Sequence, residues 1–204
     1  MLAKSISCKR QRGFSLTESL VALTILAMAS AVILLAVETS VSTTYDSVES
    51  TIAEGMAQQL IDEVLATRYK APSADPYQFP LVASGWELAG NGRERFNDTD
   101  DFNGFVAHSA EDKWGRPLGQ GNGHGGLRHE AFRARPGYFH GWLQKIEVYY
   151  VDNDDPSTRL RGSATSNYRA VEVTISRKNP DDSIRTLANL RRVFAYVPPP
   201  EDTW

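Results

Sequence analysis

A single glutamate stands at the start of a long uncharged segment near the N-terminus. Residues 13–18 read GFSLTE and follow the basic group KRQR, and the nineteen residues from Ser19 to Val37 carry no charge. A carboxylate at the mouth of a segment apolar enough to enter a membrane is costly unless it has a partner, which makes it a functional candidate by default. The sequence therefore predicts a cationic partner for Glu18.

The uncharged segment has the length of a membrane span. As a helix, Ser19–Val37 would extend roughly 28 Å, close to the thickness of a bilayer core. Residues 1–12 contain four cations and no acid, and the next basic residue after them is Arg68. The positive-inside rule then predicts a single-pass protein with its first dozen residues in the cytoplasm and everything beyond Val37 outside.

The helical pattern continues past the uncharged segment. Neither proline nor any glycine except Gly55 occurs between Phe14 and Ala71. Apolar residues recur there at three- and four-residue steps: Val41, Tyr45, Val48, Ile52, Met56, Leu60 and Val64. This spacing predicts an amphipathic helix that extends the apolar one to roughly 80 Å. A removable secretory signal, the alternative for a basic start and an apolar stretch, has no use for such an extension.

The segment from Arg12 to Glu18, with the apolar run behind it, resembles the class III signal of type IV pilins and type II secretion pseudopilins. The resemblance covers about residues 9–38. It implies that a membrane-embedded prepilin peptidase cuts after Gly13 and methylates the new amine of Phe14, and that the chain is a structural subunit rather than an enzyme. The implied partners are that peptidase, other pilin or pseudopilin subunits and the inner membrane.

Cleavage after Gly13 would create an α-amino group four residues before Glu18, and such a cation can neutralise a carboxylate held in lipid. In the resembled family the partner is mainly the new N-terminus of a neighbouring subunit, so the pair sets the axial register of assembly. Taken by itself, Glu18 has a simpler interpretation, because a glutamate near a helix N-terminus is stabilised by the helix dipole.

The apolar segment resembles that of minor subunits more than that of major pilins. Major pilins often carry a proline, with a glycine before it, in this segment, and neither residue occurs between Phe14 and Val37. The stretch ESLVALTILAMA is most similar to I-type pseudopilins and V-type minor pilins. The resemblance therefore favours a minor subunit.

The last third of the chain predicts an antiparallel sheet. KIEVYYV and RAVEVTIS alternate apolar and polar residues, and Asn179-Pro180 is typical of a turn before a third strand within residues 184–197. The alternation of that strand breaks between Leu187 and Leu190, which indicates a bulge. An apolar sheet face needs a cover, and the stripe from Val41 to Val64 is the candidate. The predicted fold is α+β, a long N-terminal helix packed on a small antiparallel meander with a long loop-rich insertion.

These patterns divide the chain into six segments: a leader at 1–13, a transmembrane helical half at 14–37, an amphipathic helical half at 38–70, a loop-rich region at 71–142, a sheet at 143–197 and a tail at 198–204. Glycine, proline and asparagine dominate the loop-rich region. Because so long a span without regular elements is unusual, we expect short strands within it, around Gly85–Leu88 and Phe105–His108.

One acidic stretch has the residue types of a calcium site. NDTDDFNG contains four hard oxygen ligands, Asp98, Asp100, Asp101 and Asn103. Their spacing does not fit an EF-hand, however, since the sixth position is not glycine, and a solvated Asx-rich turn explains the same residues. Calcium bound in this loop is thus a hypothesis, and no other cofactor is predicted.

The remaining composition excludes several function classes. A net charge of −3 with scattered cations indicates no nucleic-acid partner. The one cysteine, Cys8, lies in the leader, and no G-x-S-x-G nucleophile elbow is present. Two hypotheses remain: a processed pilin-like subunit whose outer domain lies in the periplasm or outside the cell, and a signal-anchored envelope protein whose loop domain binds a ligand or metal.

Overall fold

The computed structural model describes Gly13 and residues 15–198 of the 204-residue chain. Two helices, α1 and α2, two short 3-10 turns and four strands, β1–β4, make up its regular structure. In chain order the elements are α1 Leu16–Leu65, α2 Gly85–Leu88, a 3-10 turn Asp100–Phe102, β1 Phe105–Ser109, a 3-10 turn Glu130–Phe132, β2 His140–Tyr150, β3 Tyr168–Lys178 and β4 Ile184–Ala195. The predicted α+β class with a long N-terminal helix is confirmed.

The chain divides into two compact units, an N-terminal unit, Met1–Val48, and a C-terminal unit, Glu49–Trp204. In the N-terminal unit, the described residues from Leu16 onward are helical and exposed. An 18-residue window of α1 has a mean hydropathy of 2.8, and none of it is buried. By length and composition, this is the one helix among the described residues that is suited to cross a membrane.

The sheet of the C-terminal unit is an antiparallel meander in the order β1-β2-β3-β4. Ile146 of β2 pairs with Val173 of β3, which pairs with Leu190 of β4, so apolar residues share one face. Between β3 and β4 the register shifts at Ile175/Ser176, and Leu187 is left without a partner. This irregularity confirms the bulge predicted from the broken alternation.

The core of the C-terminal unit forms where the last four turns of α1 pack on the sheet. The helix contributes Ala53, Met56, Ala57, Leu60, Ile61 and Val64, and the sheet contributes Trp142, Ile146, Val148, Val171, Val173 and Ile175. Two small alanines sit among the larger residues, which lets the helix approach the sheet closely. The prediction that the helix covers the apolar face of the sheet is therefore correct only for its later part, from Ala53 to Val64. Val41, Tyr45 and Val48 are exposed, Tyr45 to 69%.

The loop-rich region differs from expectation at one of its two predicted strands. The strand around Phe105 is confirmed as β1, which adds a fourth strand at the edge of the meander. Residues Gly85–Leu88 form α2 instead, because Ser84 and Glu87 make a reciprocal capping box that starts a helical turn. Elsewhere two loops cross closely at Gly92 and Gly115, where a Cβ on Gly92 would lie 2.3 Å from the Gly115 nitrogen.

We expect Leu60→Ala to lower the free energy of unfolding of the C-terminal unit by about 2–5 kcal/mol, because it leaves a cavity between α1 and the sheet. Leu60 is 2% exposed, whereas Leu65 on the same helix is 42% exposed. The matched control Leu65→Ala should cost no more than about 0.5 kcal/mol. Urea unfolding of the detergent-solubilised chain, followed by tryptophan fluorescence, measures both. Equal effects of the two substitutions would contradict the assigned core.

Candidate functional site

The glutamate of the N-terminal motif lies in the first turn of α1. The helix begins at Leu16, and the Glu18 backbone N–H donates to the Ser15 hydroxyl at 3.2 Å. Ser15 thus occupies the capping position that serine favours, three residues before a glutamate, as in the first half of a capping box. The carboxylate of Glu18 is solvent-exposed at this helix end.

Glu18 lacks a cationic partner within the part of the chain that the structure describes. Gly13 is exposed, and a side-chain carbon there would meet nothing within 4 Å, so this position is sterically open. Phe14 lies outside the described residues. Among the described residues, no cation therefore neutralises the Glu18 carboxylate. The processing roles of Gly13 and Phe14 and the assembly role of Glu18 stay predictions.

The acidic stretch is folded against its own backbone. Asp101 Oδ2 accepts from the backbone N–H groups of Asn97 at 2.8 Å and Asp98 at 3.2 Å, and Asp98 Oδ1 accepts from the Asp100 N–H at 3.2 Å. Asn103 links the stretch to its surroundings, since its amide donates to the Leu81 carbonyl and accepts from the Val148 N–H. Asp98 and Asp101 therefore act as Asx-type turn residues, whereas Asn103 ties the stretch to Leu81 and to β2.

A buried arginine, for which no sequence motif predicted a role, contacts the other side of this stretch. Arg169 of β3 is fully buried, and its guanidinium lies 3.7 Å from the Asp100 carboxylate. It also donates to the Tyr69 carbonyl at 2.7 Å and to the Thr99 hydroxyl at 2.8 Å. A buried charge needs such compensation, because unpaired it would cost several kcal/mol. The alternating pattern of the strand predicts that Arg169 is buried, but it does not identify the groups that bind its guanidinium.

Within the described residues, no group of three or more histidine, cysteine, aspartate or glutamate side chains is arranged to hold a metal ion. Three of the four residues named for calcium are carboxylates that already accept intrachain hydrogen bonds. Calcium binding by Asp98, Asp100, Asp101 and Asn103 stays a prediction that the fold does not require.

Burial changes the acidity of this stretch. Removal from solvent, together with the neighbouring Asp100, raises the pKa of Asp98 to about 7. Burial likewise raises the pKa of Asp101 to about 6, against the opposing effect of the backbone N–H groups of Asn97 and Asp98. Desolvation disfavours the charged carboxylate, which explains the direction of both changes. The folded chain therefore holds protons that the unfolded chain releases at the same pH.

We expect the free energy of unfolding to fall as the pH rises from about 4 to about 7. In that window the native state binds more protons than the unfolded state, whose aspartates titrate near 3.8, so the sign of the slope is negative. Asp98→Asn, which keeps an acceptor oxygen, should make the slope shallower. The exposed Asp154→Asn is the matched control and should leave the slope unchanged. Urea titrations at pH 5 and pH 8 compare the three proteins, and an equal pH dependence in all of them would contradict a perturbed Asp98.

Comparison with known proteins yields one match. The family described as the prokaryotic N-terminal methylation motif matches residues 8–34. No curated protein and no solved structure matches the chain. The matched range contains Gly13, Phe14 and Glu18 and ends within α1.

The match and the geometry agree on the N-terminal residues. A methylation motif leads directly into a capped helix that is apolar, exposed and long enough to enter a membrane. The chain therefore carries the prokaryotic N-terminal methylation motif, which is the class III signal of type IV pilins and pseudopilins, and the apolar helix behind it fits a membrane-anchored protein.

Proposed function

We propose that this protein is a minor pilin or pseudopilin, a structural subunit of a type II secretion pseudopilus or a type IV pilus. Prepilin peptidase cuts it after Gly13, and the mature subunit joins a filament with other subunits through its N-terminal helix. The observation that carries the proposal is the match to the N-terminal methylation motif at residues 8–34. If cleavage follows Gly13, Glu18 is the fifth residue of the mature chain, and it has no cationic partner among the described residues.

The surface of the N-terminal unit supports assembly through the helix. From Leu20 to Val37 its large apolar side chains are more than half exposed. The hydroxyls of Thr24 and Ser30 donate to the carbonyls of Val21 and Leu26, both at 2.8 Å, so these polar groups need no water. A helix of this kind is stable in lipid and equally in the packed interior of a helical filament.

The charge distribution supports an orientation. By the positive-inside rule, the cations of residues 1–12 support a cytoplasmic location for that segment at the inner membrane, and hence a periplasmic or extracellular location for the C-terminal unit. A minor role is supported by the absence of proline between Phe14 and Val37, since α1 runs without interruption through this range from Leu16 onward. Proline would remove a helical hydrogen bond there.

The rival hypothesis is a signal-anchored envelope protein whose loop domain binds a ligand or a metal. The two hypotheses differ at Glu18, because a filament subunit needs a carboxylate to pair with a neighbouring N-terminus, whereas an anchor gains from an apolar residue at that site. Glu38 provides a matched control, since it is an exposed glutamate of the same helix at the other end of the uncharged run.

We expect prepilin peptidase to cleave Glu18→Leu normally. The amount of this variant in the sheared-filament fraction of the host should fall by about tenfold or more. The reason is that losing a lipid-buried charge pair worth at least ~1.4 kcal/mol corresponds to a tenfold change in an assembly equilibrium. Glu38→Leu should assemble as the native chain does. Quantitative immunoblots of sheared filaments and membranes measure both variants. If the sheared-filament fraction contains as much Glu18→Leu as native chain, the anchor hypothesis is favoured. It is also favoured if the native chain is absent from filaments and Glu18→Leu accumulates in the membrane above the native level.

A further inference from the structure

A cavity of about 770 Å³ opens on the C-terminal unit beside the last residues of β2. Its walls come from three parts of the chain: residues 148–150 of β2, the segment 79–82 and the segment 158–164. Asn103, just before β1, closes one end. The cavity therefore lies along a strand of the sheet rather than between two loops.

The strand wall of this cavity is an interruption in the sheet edge. The pairing of β1 with β2 ends at Phe105 opposite Ile146, so later residues of β2 have no β1 partner. Two of their peptide groups are satisfied in other ways. The Val148 N–H donates to Asn103 Oδ1 at 3.0 Å, and the Tyr150 carbonyl accepts from the Leu160 N–H at 2.9 Å.

Two backbone groups between these contacts lack a hydrogen-bond partner. Along β2 the even-numbered residues direct their peptide groups away from β3, as the Ile146 carbonyl does in accepting from the Gly104 N–H. Among the described residues, neither the Val148 carbonyl nor the Tyr150 N–H has a hydrogen-bond partner. Val148 and Tyr150 are only 1% and 3% exposed, so these groups lie at the floor of the cavity, where an unpaired peptide group favours a partner. Unpaired peptide groups at a sheet edge are a template for pairing with another chain.

The spacing of these two unpaired groups fits the backbone of a peptide. In a parallel β-bridge, one residue of an added segment donates to the carbonyl on one side of the facing residue and accepts from the N–H on its other side. The Val148 carbonyl and the Tyr150 N–H flank Tyr149 in this way. A single residue of an extended segment placed opposite Tyr149 would thus satisfy both groups.

The side chains around the cavity select the chemistry of that peptide. Two arginines, Arg159 and Arg161, line it, and no acidic residue does. Arg159 stacks on the Tyr149 ring at 4.2 Å and lies 3.7 Å from Glu147, whereas Arg161 forms no ion pair with any described residue. Opposite them, Phe79 and Val82 are each more than half exposed, so the wall is apolar as well as basic.

We propose that this cavity is a docking site for an extended, acidic segment of another protein, which adds to β2 through one parallel bridge opposite Tyr149. Its carboxylates pair with Arg161 and Arg159, and its apolar side chains pack on Phe79 and Val82. The site belongs to the C-terminal unit alone and is independent of the processing of the N-terminus.

The experiment uses the full chain in detergent micelles and a fluorescein-labelled, end-capped peptide of sequence TVEVEVT as the probe. Fluorescence anisotropy measures its dissociation constant. Arg161→Glu should weaken binding by about tenfold or more, because it replaces a charge-assisted hydrogen bond with repulsion between like charges. Ala164→Trp, which fills the cavity from an exposed position in its wall, should abolish binding. The exposed Arg192→Glu on β4 is the matched control and should bind as the native chain does.

A second measurement separates the contribution of the backbone bridge from charge attraction and from partitioning of the peptide into the micelle. Peptide binding should slow hydrogen exchange of the Tyr150 N–H, which the free chain leaves open, and a TVEVEVT peptide N-methylated at its three central amides should lose both binding and this protection. Equal binding of the N-methylated peptide or of the lysine peptide TVKVKVT would overturn the proposal, as would no binding by the native chain. Self-association of the chain that Ala164→Trp abolishes would identify a second copy as the occupant and would also overturn it.

Discussion

The contact between the last four turns of α1 and the sheet is the constraint on which the C-terminal unit depends. Residues from Ala53 to Val64 bury one face of the helix on the alternating apolar residues of β2 and β3. A four-stranded antiparallel sheet with one apolar face is not stable in water without such a cover. The same helix begins in the methylation motif, so a single continuous element carries both the packing signal of the domain and the processing and membrane signals of the N-terminus.

Two buried arginines extend this core to the loop-rich region. Arg93 makes a bidentate ion pair with Glu63 of α1, with N···O distances of 3.0 and 3.1 Å. Arg169 of β3 donates to the Tyr69 carbonyl and forms an ion pair with the Asp100 carboxylate. Each guanidinium is fully buried, so its loss would leave carboxylates or carbonyls without donors inside the fold. The loop-rich region is thus held by these polar contacts as well as by apolar side chains such as Phe96 and Phe102, which belong to the core.

The elements with a strong period were predictable from the sequence, and those ordered by distant polar contacts were not. The uninterrupted helix, the alternation in β2 and β3 and the bulge at Leu187 all follow from local patterns. Residues 85–88 form a helical turn rather than the predicted strand, because the local capping box of Ser84 and Glu87 outweighs the weak strand pattern. The acidic stretch is ambiguous in principle, since calcium ligands and Asx turns use the same side chains, and only the fold shows which donors reach them. The N-terminal site was recognisable because its residues act by their register in the chain, whereas the β2 edge depends on where a strand pairing ends.

We propose that this chain is made as a prepilin and acts after processing, and we would therefore first determine the mass and N-terminal sequence of the protein extracted from the membranes of its own host. We expect a chain that begins at Phe14 with a methylated amine, which would put the α-amino group four residues before Glu18. A chain that begins at Met1 would make the helix an anchor only, and one that begins beyond Val37 would make the apolar segment an ordinary secretory signal. Either of these two results would contradict the filament account.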